Sequence, residues 1–149
     1  MLFRSLIEEE IEAREEERML EVKQEKIKTG TGRLDDLLLG GIPFGSNVSI
    51  YGPSYVGKEV IVNTFMAEGL KKGVPGIFVI TDKTPADLRE DMTFVLPGYE
   101  EYERLGLVKY VDAYSRSIGS EEKDPYTVYI HEPTDHEGML KAVDELARE

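Results

Sequence analysis

The chain of 149 residues sets 30 acidic against 18 basic side chains, a formal net charge of −12, and holds no Cys and no Trp. That length suits one domain with a sizeable core and hardly two. The lack of Cys excludes disulfide scaffolds, thiol nucleophiles and cysteine-held zinc or iron–sulfur centres. The acid excess speaks against sequence-independent nucleic-acid binding, which rests on many Lys/Arg–phosphate contacts. No apolar run approaches the ~20 residues of a membrane-spanning helix. Leu6 and Ile7 run straight into Glu8-Glu9-Glu10, unlike a secretion signal. A cytoplasmic protein without membrane contact is therefore expected. The abundance of Glu, Lys and Arg also has the composition of a thermophile's protein.

Residues 1–28 stand apart, with nine acidic and six basic residues and neither Gly nor Pro. Good helix formers from Ile7 to Lys26, with Glu10 and Arg14 at i,i+4, predict a charged N-terminal helix. Its apolar positions form two short patches out of register: Phe3, Ile7 and Ile11, then Met19, Leu20 and Val22. That is no coiled-coil heptad. The segment reads as a solvated helix, the alternative being a docking helix led by Leu2, Phe3, Leu6 and Ile7.

From residue 29 onward, strand and helix patterns alternate. Asn47–Tyr51 predicts a buried strand ending at Gly52. Lys58–Lys72 predicts a helix, with Ile61/Phe65 and Val62/Met66/Leu70 at i,i+4 and Lys71-Lys72-Gly73 as its stop. Gly76–Thr81 predicts a second strand, Pro85–Val95 a helix opened by proline, Leu107–Val111 a third strand, Tyr126–Ile130 a fourth and His136–Glu149 a last helix. Such alternation predicts an α/β fold with a mostly parallel sheet.

The chemistry concentrates in Gly52-Pro53-Ser54-Tyr55-Val56-Gly57-Lys58-Glu59, which matches G-x-x-x-x-G-K but lacks the final Ser/Thr. A strand leading in and a helix leading out are what a phosphate-binding loop requires. The backbone N–H groups of Gly52 to Val60, Pro53 apart, then converge on phosphate oxygens at the helix N-terminus, and Lys58 neutralises them. An ordinary glycine-rich turn is the plain alternative. The flanks favour the loop. Upstream stands Thr29-Gly30-Thr31-Gly32-Arg33-Leu34-Asp35-Asp36-Leu37-Leu38-Leu39-Gly40-Gly41-Ile42-Pro43-Phe44-Gly45. Downstream come Phe65-Met66-Ala67-Glu68-Gly69-Leu70, Gly76–Thr81 and Val111-Asp112-Ala113-Tyr114. With these motifs in order, roughly residues 27 to 149 resemble the KaiC/RadA-like branch of RecA-superfamily P-loop ATPases. The resemblance implies a RecA-like P-loop core, ATP or ADP at the loop, and assembly that often places nucleotide between subunits.

Three positions depart from that pattern. Glu59 replaces the hydroxyl that holds Mg²⁺, which speaks against magnesium here. Tyr55 replaces a glycine, and its ring is expected to obstruct the loop. Asp82-Lys83 replaces a pair of glutamates, so Asp82 is the one candidate catalytic carboxylate left. Glu59 is expected to pair with Lys58 in place of a phosphate. The rival reading makes Glu59 a direct Mg²⁺ ligand. The resemblance also implies a further strand ending in Asp after the last helix, and none remains before Glu149. A truncated core is therefore expected, with an open sheet edge and an underpacked face of Met139, Leu140, Val143 and Leu146. The expected organisation is a charged helix over 1–28 and a partial KaiC-like P-loop domain over 29–149. The expected function is a catalytically degenerate nucleotide-binding module with a regulatory or interaction role. An active ATPase completed by a partner chain or by the rest of a longer polypeptide, and a structural oligomerisation domain without ligand, are the alternatives. Its partner is expected to be itself, as a homodimer before a ring, or another protein.

Other candidates are weaker. His131 and His136 are five apart with Pro133 between them, which defeats a helical zinc pair; Asp135 or Thr134 reads as a helix cap. Gly30-x-Gly32 is no dinucleotide fingerprint, because Asp35 holds the third glycine's place. Asp112 belongs either to a site or to a cap. Ser115 and Ser117 lack a His base. Tyr99, Tyr102, Tyr110, Tyr114, Tyr126 and Tyr129 read as packing or interface residues.

Overall fold

A computed structural model describes residues 5–14 and 25–149. The chain divides into two compact units, Met1–Ile50 and Tyr51–Glu149.

In the first unit residues 5–14 are helical, with Arg14 bonded to Glu10 at 2.9 Å. Leu6, Ile7 and Ile11 lie exposed on this helix. Leu2, Phe3, Met19, Leu20 and Val22 lie outside the described residues. The expected helix does not reach residue 28. Lys26–Ile27 forms β1, paired antiparallel with β2, Ile42–Pro43. Between them run α1, Gly32–Leu37, and a tight turn in which Leu39, Gly40 and Gly41 all have positive φ. The Lys26 ammonium donates to the carbonyls of Leu38 and Leu39, closing the end of α1 as a basic residue does at a helix C-terminus. Gly41, at φ +125°, has to be glycine: a Cβ there would fall on the Ile27 carbonyl. Thr29 and Asp35 explain the lead-in motif. The Thr29 backbone N–H and hydroxyl both donate to Asp35 Oδ1 at 2.8 Å, and both residues are buried.

Asn47–Tyr51 is not a strand. Among the described residues it has no ladder partner, and Val48, Ile50 and Tyr51 are exposed. The apolar run has strand propensity, but a strand exists only within a ladder, and propensity alone does not supply one.

The second unit is a parallel three-stranded sheet in the order β3 (Gly76–Ile80), β4 (Val108–Asp112), β5 (Thr127–Tyr129). Phe78 pairs with Tyr110, and Val111 with Val128. The other elements are α2 (Lys58–Lys71), α3 (Pro85–Val95), α4 (Tyr99–Arg104), a 3₁₀ turn over Ser115–Ile118 and α5 (His136–Leu146). Because side chains alternate across a strand, the sheet presents two apolar faces. Phe78, Ile80, Val108 and Tyr110 pack with Ala67 and Leu70 of α2, Leu88 and Met92 of α3, and Tyr99 of α4. Val111 and Ile130 on the other face pack with Met139 and Ala142 of α5. The face of α5 is thus better satisfied than expected: Met139 is buried, Val143 and Leu146 pack against this core, and only Leu140 stands out at 70% exposure.

A polar network ties three elements together beneath the first core. Tyr110 donates to Glu103 Oε1 at 2.5 Å, and the Tyr99 and Tyr110 hydroxyls lie 2.6 Å apart. Arg89 of α3 grips Glu103 through Nε, at 2.8 and 2.9 Å, and reaches Asp124 through Nη2 at 2.7 Å. Burial pushes the Tyr99 and Tyr110 hydroxyls well above the usual phenol range, so both stay protonated.

Candidate functional site

The loop between Tyr51 and α2 is short and exposed, and two residues in it adopt left-handed backbone. Gly57, the N-cap of α2, sits at φ +82°, which glycine takes without penalty. Tyr55 sits at φ +62° with its side chain fully in solvent. The expected obstruction by the Tyr55 ring is therefore not what the structure has. Its cost lies in the backbone, where a Cβ in this region is unfavourable by about 1–2 kcal/mol.

Lys58 opens α2 and folds back over the loop, donating to the Gly52 carbonyl at 2.5 Å. Its stem and Val56 lie within van der Waals reach of Gly52. The expected Lys58–Glu59 pair is absent. Glu59 turns instead toward Lys83, with Oε2 at 3.9 Å from Nζ. Lys83 is held more firmly by Asp91 of α3, at 2.9 Å. The hydrogen bond from Asp91, with the fields of Asp91, Glu59 and Asp82, holds the Lys83 ammonium above its usual pKa despite partial burial. Asp82 lies exposed in the bend after β3, where it adds to this field. Pro53, Ser54, Val56, Gly57 and Val60 are exposed along the loop and the first turn of α2, and Gly52 is half-buried.

Sequence reasoning missed Asp91. The signal was present: Thr84, Asp87 and Asp91 recur at three- and four-residue spacing, which places them along one side of α3. Thr84 and Asp87 form a capping box at the start of that helix. The Thr84 hydroxyl accepts from the Asp87 N–H at 3.1 Å, and Asp87 Oδ2 accepts from the Thr84 hydroxyl at 2.7 Å. Asp112 proves to be a cap. Its Oδ1 accepts from the N–H groups of Tyr114 and Ser115, both at 2.8 Å, and its Oδ2 has no hydrogen-bond partner among the described residues. Asp135 caps α5 by accepting from the Gly138 N–H.

The residues suit a phosphate better than a divalent ion. N–H groups at the start of a 14-residue helix, a left-handed glycine before it and a lysine at its first position are the parts of a phosphate cradle. Magnesium on such a loop takes the hydroxyl after the lysine. Here that position carries Glu59, an exposed carboxylate 3.9 Å from the Lys83 ammonium. Among the described residues, no group of three or more His, Asp or Glu side chains is placed to hold a metal ion.

An α/β domain with a glycine–lysine loop at the head of a helix defines the P-loop class. The comparisons narrow it. A family profile described as "ATPase: KaiC" matches residues 27–149, and the chain belongs to that family. A UPF0273 protein of Aeropyrum pernix is 35% identical over 82% of this chain and 48% of its own length. One from Thermotoga maritima is 34% identical over 69% of this chain and 43% of its own. The structure of a KaiC-like protein from Pyrococcus horikoshii OT3 shares the fold, with a TM-score of 0.64 at 24% identity, over 84% of this chain and 49% of that one. The chain spans about half the length of the curated relatives it matches. No described helix is long and apolar enough to cross a membrane.

Proposed function

We propose that this chain is a KaiC-family module that binds ATP or ADP at the Gly52–Glu59 loop without turning it over, and that it serves as a regulatory or interaction protein. One observation carries the reading. The loop keeps its lysine and left-handed glycine, while Asp82-Lys83 replaces the glutamate pair, one of which activates water in the family, and Lys83 pairs with Asp91 at 2.9 Å and lies 3.9 Å from Glu59. Binding needs the first set of groups and hydrolysis needs the second. On ligand entry Lys58 exchanges the Gly52 carbonyl for phosphate oxygens, and the N–H groups at the head of α2 complete the cradle. Asp82 is the carboxylate best placed by sequence to act on water. It adds to the field at its neighbour Lys83, whose ion pairs go to Asp91 and Glu59.

Calorimetric titration with ATP, on wild type and Lys58→Ala, tests this. The expected result is saturable binding by wild type that weakens at least tenfold, about 1.4 kcal/mol, in the variant. Affinities that are equal, or absent in both, contradict it.

The second reading, an ATPase completed by further chain or a partner, draws on the fact that the chain spans about half of its relatives. Phosphate release that appears only on adding a partner chain or in a longer polypeptide distinguishes it. Self-association is the partner proposal, a homodimer before a ring. Its support is a β3 strand that pairs only with β4 among the described residues and whose Val79 is exposed.

A further inference from the structure

The disagreement between this loop and a magnesium site has a sharper consequence. We infer that the Lys83 ammonium takes the place of the divalent cation at the Gly52–Glu59 loop, so that phosphate binds there without magnesium and Glu59 is not a metal ligand. The phosphate half of this statement rests on the nucleotide reading above. The Glu59 half rests on the ion-pair geometry alone.

Two exchanged residues carry the argument. Glu59 stands where the loop's class keeps a neutral hydroxyl as metal ligand, and Lys83 stands where the family keeps an acid. The two changed side chains meet, at 3.9 Å. Glu59 alone beside the phosphate cradle repels its ligand, and Lys83, already answered by Asp91, brings a cation near that charge. Together they cancel, and a positive charge that usually arrives by diffusion becomes tethered to the chain. Lys83 is held at its other side by Asp91 at 2.9 Å and is only 21% exposed, so its ammonium is a fixed feature of the site. A divalent ion on the Glu59 carboxylate would sit a few ångströms from that ammonium, and like charges so close repel. Around Lys83 the charged groups are Glu59, Asp82 and Asp91, with Lys58 next to Glu59 in the chain. Asp91, Glu59 and Asp82 all favour the charged form of this lysine.

Two measurements on the intact chain test this, one with nucleotide and one without. In calorimetry, ATP binding by wild type is expected to be the same within about twofold in excess magnesium and in EDTA, while Lys83→Glu becomes magnesium-dependent by about tenfold or more. Magnesium that strengthens wild-type binding tenfold overturns the inference, as does a Lys83→Glu protein, shown folded by circular dichroism, with no metal dependence. The second measurement is a Mn²⁺ titration followed by electron paramagnetic resonance, with no nucleotide present. Wild type and Glu59→Ala are expected to superimpose. A site present in wild type and missing in Glu59→Ala overturns the inference. If wild type binds ATP in neither buffer, the nucleotide reading fails, and the Mn²⁺ titration still decides whether Glu59 is a ligand.

Discussion

Tyr55 is the residue at which backbone and side chain disagree most. Its ring gains nothing in solvent, while its φ of +62° carries the left-handed penalty. Tyr55→Gly is expected to raise stability by about 0.5–1 kcal/mol, the relief of strain less the entropy that glycine adds to the unfolded chain. Urea denaturation of the two proteins reads this directly, and a less stable variant contradicts it. Asp87 is the second residue with a measurable signature. Hydrogen bonds from the Thr84 hydroxyl and backbone hold its carboxyl below the usual 3.8. A folded pKa below the unfolded one means the cap stabilises the fold above the unfolded value, and that this contribution is lost as pH falls through the folded one. Carboxyl NMR titration is expected to place Asp87 below the usual value and to move it upward in Thr84→Ala. A midpoint unchanged by that substitution shows the box is not the cause.

At the scale of elements, the Arg89 network joins α3, α4 and β4. Glu103 is nearly inaccessible, so Arg89→Met leaves a buried carboxylate with its main counter-charge gone. Breaking such a pair costs about 3–5 kcal/mol. Adding Glu103→Gln keeps an acceptor for Tyr110 and removes the stranded charge, so the double variant is expected to regain part of that loss. Chemical denaturation of both variants checks the order. This network was not legible in the sequence, because Arg89, Glu103, Tyr110 and Asp124 meet only once the sheet has formed. The elements themselves were largely legible. The i,i+4 apolar pairs of α2 and the proline at the start of α3 act within a few residues, and both helices stand where the pattern placed them. Where meaning depends on a distant neighbour, the pattern failed. Asn47–Tyr51 has the letters of a strand and no ladder. Lys26–Ile27 has the letters of a helix and pairs with Ile42–Pro43. The short α4 passed unnoticed in a run of acidic residues. At the loop, the three departures were visible as letters, but the meeting of Glu59 with Lys83 was not.

For the whole molecule, the net charge of −12 opposes association of copies while the open β3 edge favours it. Both act on the homodimer proposal, and salt separates them. Screening weakens repulsion between like-charged copies once the Debye length falls to about 8 Å at physiological ionic strength. The dimer fraction in light scattering is expected to rise with added salt and to fall on dilution. A monomer at every salt and concentration ends the proposal. Binding without turnover is the central claim, and one measurement tests both halves. The protein is incubated with γ-labelled ATP and magnesium, separated from free nucleotide by rapid filtration, quenched in acid and chromatographed. The account predicts label retained as intact ATP by wild type and lost by Lys58→Ala. Retained nucleotide recovered as ADP and phosphate, or equal retention by the two proteins, contradicts it.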